Sequence, residues 1–292
     1  MRVAIYAGCS FTWGQGLWSY CPTKWYVPTC YEYTKEDAPI PPIAQKFRIE
    51  NRFAGLIEKN KSIKQIVKRR NGGTDDESLL FIDMVKQNKV HTDGGGSLLQ
   101  ENIDWNQIEW CIFQTTQAYR SPFEFTHKGQ LYSIRANPGF KEQTLLCKIG
   151  EYDQNYNRPE EELDTIEPFL EWLVDNNLTP NDFFKIHTRH IAKRIENKFK
   201  ELEEQNIKCL IFCWTDEYLS YINESPFLQE RFVQIKYNNN YYNTLEYLIE
   251  EFKLSIKDDK TKIHDCGGDG HPSLKLHKLI AESLESKMKT II

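Results

Sequence analysis

The sequence predicts an α/β fold: a mostly parallel β-sheet with helices on both faces and long loop insertions. Two observations carry that expectation. Five short apolar, β-rich runs punctuate the chain, and stretches of helical period lie between them. Strands that alternate with helices are joined by crossovers, and crossovers leave neighbouring strands parallel.

The first run, residues 3–7, ends at Gly8 and reads as the opening strand. A helical stretch over 47–59 leads to the second run at 63–67, and another over 76–87 leads to the third at 110–114. Helical period returns over 160–176 and 181–204, before the fourth run at 208–214 and a weaker fifth at 232–235. Residues 244–252 and 273–289 complete the series. In the last of these, Leu274, Leu276, Leu279, Ile280, Leu284 and Met288 form an apolar stripe that can dock on a sheet. Two stretches break the rhythm. Residues 18–46 are rich in Trp, Tyr, Pro and Cys, and 119–160 carry Gly, Pro, Asn and aromatics without helical period. Both are read as insertions into a single domain spanning 1–292. Each follows the carboxyl end of a strand, where open α/β sheets bind ligands, so each could wall a cleft or simply cover the sheet edge.

Composition narrows the functional classes. With 37 Lys and Arg against 42 Asp and Glu, the formal charge of −5 offers no basic footprint for a phosphate backbone, so nucleic acid is not an expected partner. No apolar stretch reaches the roughly 20 residues of a membrane span. The run at 3–7 is too brief for a signal-peptide core. Eight cysteines lack paired CxxC spacing, and Cys111, Cys209 and Cys213 sit within strand-like runs. Reduced core residues in a cytoplasmic protein are the expectation.

Chemistry concentrates at the two ends of the chain. Gly8-Cys9-Ser10-Phe11-Thr12-Trp13-Gly14 follows the first strand directly. A glycine at a strand end permits a sharp turn, which would lift the Ser10 hydroxyl above the sheet. The same turn could instead cap a helix or cradle a phosphate, as flavin loops do. Asp265-Cys266-Gly267-Gly268-Asp269-Gly270-His271-Pro272-Ser273 precedes the last helix. Its imidazole can act as general base for a serine, and a neighbouring carboxylate can fix the tautomer. Alternatively, Asp269 and His271 are ordinary turn and helix-start residues.

Together the two blocks resemble the SGNH (GDSL-type) hydrolases. Gly-Cys-Ser-Phe-Thr at 8–12 is similar to their first block, with Cys9 where aspartate is commonest, and Asp-Gly-His-Pro-Ser at 269–273 is similar to their last. The resemblance implies a three-layer, flavodoxin-like domain. It also implies Ser10 as nucleophile and oxyanion amide, His271 as base and Asp269 as its orienting acid. The family's spacing is Asp-x-x-His, here Asp-x-His, which keeps Asp265 as the other candidate. The second oxyanion donor would be Gly73, with Gly72 as fallback. The asparagine of the third block is absent. Thr116 takes its place by position, with Gln114 and Gln117 as the other donors within reach.

The implied activity is a serine esterase that needs no cofactor and no metal, acting on a small-molecule or glycan ester, with a carbohydrate O-acetyl ester as the first guess. Trp13, Trp18 and Arg120 are the expected substrate contacts, and Trp18, Tyr20, Trp25, Tyr26, Tyr31 and Tyr33 the expected stacking surfaces for sugar rings. An acyltransferase using the same triad, a catalytically weakened binding module and a flavin-binding domain remain the alternatives. The His264–His271 cluster matches no strong zinc spacing. His187 and His190, three residues apart on a helix, are expected on a polar face, and Glu201 to Glu204 with Lys198 and Lys200 reads as a solvated helix end.

Overall fold

The parallel sheet expected from the alternation is present. The computed structural model describes residues 2–23, 41–68, 74–88, 103–134, 166–264 and 270–291. Strands β1 (Arg2–Ala7), β2 (Ile63–Val67), β3 (Ile108–Thr115) and a fourth at Lys208–Cys213 form one four-stranded parallel sheet. β2 and β3 flank β1 on opposite sides. The chain therefore reverses its direction of travel across the sheet after β2, which makes the carboxyl ends of β1 and β3 the topological switch point, where open α/β sheets bind ligands.

Two antiparallel hairpins are two-stranded sheets of their own, β4 (Phe123–His127) with β5 (Gln130–Ile134), and β7 (Ile235–Tyr237) with β8 (Asn240–Tyr242), which makes the Lys208–Cys213 strand β6. Positive φ at Lys128 and Gly129 (47° and 80°) and at Asn238 and Asn239 (49° and 62°) gives each hairpin a two-residue turn whose twist matches its strands. The weak fifth run is not a strand. Phe232 makes only an isolated parallel bridge to Ile211, and the chain then turns into β7.

The helices are α1 (Ser10–Trp13), α2 (Pro42–Asn51), α3 (Phe53–Lys61), α4 (Asp75–Lys86), α5 (Ile166–Asp175), α6 (Pro180–Glu203), α7 (Leu219–Glu224), α8 (Pro226–Arg231), α9 (Leu245–Phe252) and α10 (Leu274–Met288). The stretch read as one helix over 47–59 is two. Arg52 is extended (φ −68°, ψ 156°) and breaks it. α2 and α3 then press together at Gly55, where an added Cβ would lie 2.0 Å from the Ile49 carbonyl.

Alternate residues of the strands serve the two faces. Ala4, Tyr6, Trp110, Ile112, Leu210 and Phe212 share a core with Phe53, Ala54 and Ile57 of α3, Leu245 and Leu248 of α9, and Leu276, Ile280 and Leu284 of α10. On the other face α4 packs on β1, and Phe113 meets Phe199 of α6 edge-on. Burial on both faces explains why β1, β3 and β6 read as continuous apolar runs rather than alternating ones. Cys9, Cys21, Cys111, Cys209 and Cys213 are buried free thiols.

The described chain divides into two units, 1–116 with 195–292, and 117–194. The first holds the sheet. The second has its own aromatic core of Phe125, Ile134, Phe169, Leu173 and Phe183, so the stretch read as an insertion from about 119 opens a unit with a core of its own. No described helix is long and apolar enough to cross a membrane.

Candidate active site

Gly8 ends β1 and gives way at once to the one-turn helix α1, with Ser10 as its first residue. A Cβ at Gly8 would sit 2.2 Å from Thr12 Oγ1 and 3.0 Å from Gln114 Cβ, so only glycine lets the turn close this tightly. Gly14, left-handed at φ 81°, stops the helix and returns its amide to the Ser10 and Phe11 carbonyls. Ser10 is thereby held at the carboxyl end of β1, 4% exposed.

His271 reaches the same place from the other end of the chain. Its block is clamped by the segment after α9. The Ile256 amide donates to the His271 carbonyl (2.8 Å), the Ser273 amide donates to the Leu254 carbonyl (2.9 Å), and Ser255 bridges Pro272. Ser273 then caps α10 by accepting from the Leu276 amide. The preceding stretch is tied to the segment after α1: Ser19 O accepts from the Ile263 and His264 amides, and Tyr20 Oη donates to Asp259.

The outcome is a contact of 2.7 Å between His271 Nε2 and Ser10 Oγ across 261 residues of sequence. With the imidazole neutral and its proton on Nδ1, Nε2 accepts from the Ser10 hydroxyl, the arrangement a general base needs. The Phe11 ring stands edge-on to His271 at 5.1 Å and packs against Trp214 at 4.4 Å. His277, one helical turn into α10, is fully buried and accepts at Nδ1 from the Phe53 amide. Burial, aided by Arg52 and His271, pulls its pKa from 6.5 down to about 3. It stays neutral, so it adds no second cation opposing a proton on His271.

The remaining expected site residues divide into three groups. Asp269, Asp265, Gly73 and Gly72 lie outside the described residues, as do the Trp13 side chain, Trp25, Tyr26, Tyr31 and Tyr33. Arg120 and Gln117 belong to the second unit, where Arg120 Nε donates to Gln117 Oε1. The third group, Thr116 and Gln114, is buried. Thr116 is fully buried, and its amide donates to Asp75 Oδ1 at 2.8 Å. Gln114, the fallback, is fully buried and donates to Cys9 Sγ and the Thr115 carbonyl.

Trp18 is corrected. With 0% exposure in the 3-10 turn Leu17–Tyr20 it is a core side chain, and Tyr20 beside it is buried as well. Neither ring is available to stack on a sugar. Trp18→Ala should therefore cost about 3–5 kcal/mol of stability, read by denaturant unfolding, and leave KM for any ester unchanged. A KM that rises without loss of stability would restore Trp18 as a substrate contact.

His187, expected on a polar face, is buried in the core of the second unit. It stacks on Phe183 at 5.7 Å, and Nε2 lies 3.1 Å from the Ser121 carbonyl. Among the described residues no group of three His, Cys, Asp or Glu side chains could hold a metal ion.

Sequence reasoning missed Asp75. Wholly buried at the start of α4, it accepts from the Thr116 amide and from Tyr218 Oη at 2.5 Å. Burial pushes its pKa up to about 6, against the pull of those hydrogen bonds and of Lys68. The signal was the Thr74-x-x-Glu77 capping box, which puts Asp75 in a first helical turn.

No family model, curated protein or solved structure matches the chain.

Proposed function

We propose that this protein is a serine hydrolase that cleaves a carboxylic ester, with Ser10 as nucleophile and His271 as general base. One observation carries the reading: the 2.7 Å contact of Ser10 Oγ with His271 Nε2 at the carboxyl end of the central strand. A serine in hydrogen-bonding contact with an imidazole, on a glycine-bounded turn at a sheet's switch point, is poised for proton transfer. The three-layer, flavodoxin-like architecture of the SGNH hydrolases is part of the same proposal, supported by the strand order β2-β1-β3-β6 and by the two motif blocks.

In the first half-reaction Ser10 Oγ bonds to the ester carbonyl carbon as its proton passes to His271 Nε2. The tetrahedral oxyanion collapses, and the same proton leaves with the alkoxide as alcohol. In the second, water bonds to the acyl carbon as its proton passes to Nε2, and that proton moves to Ser10 Oγ as the acyl–oxygen bond breaks, releasing the acid and restoring the free serine. The Ser10 amide, at the first position of α1, has no partner inside that helix and can donate to the oxyanion. Gly73 is proposed as the second donor and Asp269 as the acid on Nδ1.

The test is labelling by a fluorophosphonate probe, which reports an activated serine whatever the substrate. Stoichiometric attachment at Ser10 is expected. Attachment at another residue, or none, would remove the assignment.

A further inference from the structure

Beneath the turn that carries Ser10 lies a buried amide to which no step of the proposed reaction assigns a task. Gln114, next to last in β3, sits beside β1 with 0% exposure. Its Oε1 accepts from Thr12 Oγ1 at 2.7 Å, and its Nε2 donates to Cys9 Sγ at 3.3 Å and to the Thr115 carbonyl at 3.2 Å. Cys9 and Thr12 bracket Ser10 in the chain, one residue before it and two after. Both ends of the nucleophile turn are thus fastened to one side chain on the adjacent strand. Thr12 is itself buried, so its hydroxyl has a protein partner where water is excluded. Gly8 closes the arrangement by letting Thr12 and Gln114 approach where any Cβ would collide.

We infer that Gln114 is a positioning residue for Ser10, holding the turn in the register that puts Oγ on His271 Nε2; this rests on the serine-hydrolase reading above. The chemistry of the pair explains the residue type. A side-chain amide is the one neutral group that can accept from a hydroxyl and donate to a sulfur and a carbonyl at once. Glutamate offers no donor, and leucine or methionine offers neither. A nucleophile displaced by about 1 Å loses on the order of a hundredfold in rate, because the near-attack geometry is what the site supplies.

The experiment compares wild type, Gln114→Met, Thr12→Val, the double variant and Thr12→Ser, by the second-order rate constant of fluorophosphonate labelling and by kcat and KM on a short p-nitrophenyl ester. Gln114→Met keeps length and apolar volume and removes the polar atoms. We expect labelling and kcat to fall together by about ten- to a hundredfold with KM within twofold of wild type. The double variant should be no worse than the worse single one, since both remove the same tether, and Thr12→Ser should stay near wild type. Should Gln114→Met fail to fold, Thr12→Val carries the same comparison. Wild-type labelling rates in both Gln114→Met and Thr12→Val would overturn the positioning role alone, as would multiplicative losses in the double variant. A wild-type chain that the probe does not label would overturn the hydrolase reading and this inference with it.

Discussion

Ser10→Ala is expected to lower ester turnover by at least about 10⁴-fold and to abolish fluorophosphonate labelling, while the unfolding midpoint stays near that of wild type. Removing a nucleophile removes the covalent pathway, and what survives is whatever binding and oxyanion contacts give to direct attack by water. Little of the fold depends on the hydroxyl, because the turn is set by Gly8, Gly14 and the Gln114 tether rather than by Oγ. His271→Ala should fall almost as far, since an unassisted serine hydroxyl is a poor nucleophile at neutral pH. The double variant should fall no further than Ser10→Ala, because the two groups act as one unit. Steady-state rates on p-nitrophenyl acetate check all three. A Ser10→Ala chain that keeps a tenth of the activity would end the mechanism. The orienting acid is separable in the same assay. Asp269→Asn should cost orders of magnitude and Asp265→Asn little, and the reverse order would realign the last block.

Both motif blocks were legible in the sequence because each is short and local. Gly8 to Thr12 needs only a strand before it and a sharp turn, and Gly270 to Ser273 needs only a helix after it. Their meeting could be inferred but not measured from sequence: it depends on the clamp from Leu254 to Ile256 and on the tie between Ser19 and residues 263–264. The sheet was equally legible, since burial on both faces leaves uninterrupted apolar runs at β1, β3 and β6. The β4–β5 hairpin is less legible: Phe123 and Phe125 alternate with polar residues ahead of a Lys-Gly turn, but this period of two covers only five residues of a long stretch without helical period. Gln114 and Thr116 lie at the carboxyl end of β3, as their place after the apolar run implies. Position along a strand gives depth toward the site. The choice among neighbouring partners is decided by a third element, here the start of α4 and the turn after β1. Trp18 was misread for a related reason: an aromatic-rich segment looks like a surface until the chain that covers it is known.

Two buried groups should pull acid stability in opposite directions, and each single variant should unmask the other. His277 titrates near 6.5 in an unfolded chain and about 3 in the fold. Across that window the unfolded state holds a proton the native state lacks, so stability falls as pH falls, by about 1.4 kcal/mol per unit. Asp75 behaves oppositely. Its pKa rises from 3.8 to about 6 on folding. Between those values the native state holds the extra proton, so this stabilisation is full below about 4 and lost as pH rises through 6. The windows overlap from about 4 to 6, where the two slopes nearly cancel. His277→Gln keeps an acceptor for the Phe53 amide and removes the titration. Its stability relative to wild type should rise steadily on acidification from 6.5. Asp75→Asn should show the reverse between 6 and 4, falling relative to wild type by about 3 kcal/mol at full effect. Urea unfolding at half-unit steps, taken as variant minus wild type, removes the contribution of every other carboxylate. A difference profile that is flat for His277→Gln would mean that the imidazole takes up its proton inside the fold. A flat profile for Asp75→Asn would mean that the carboxyl stays ionised beside Tyr218 and Thr116, with Lys68 outweighing the cost of its burial.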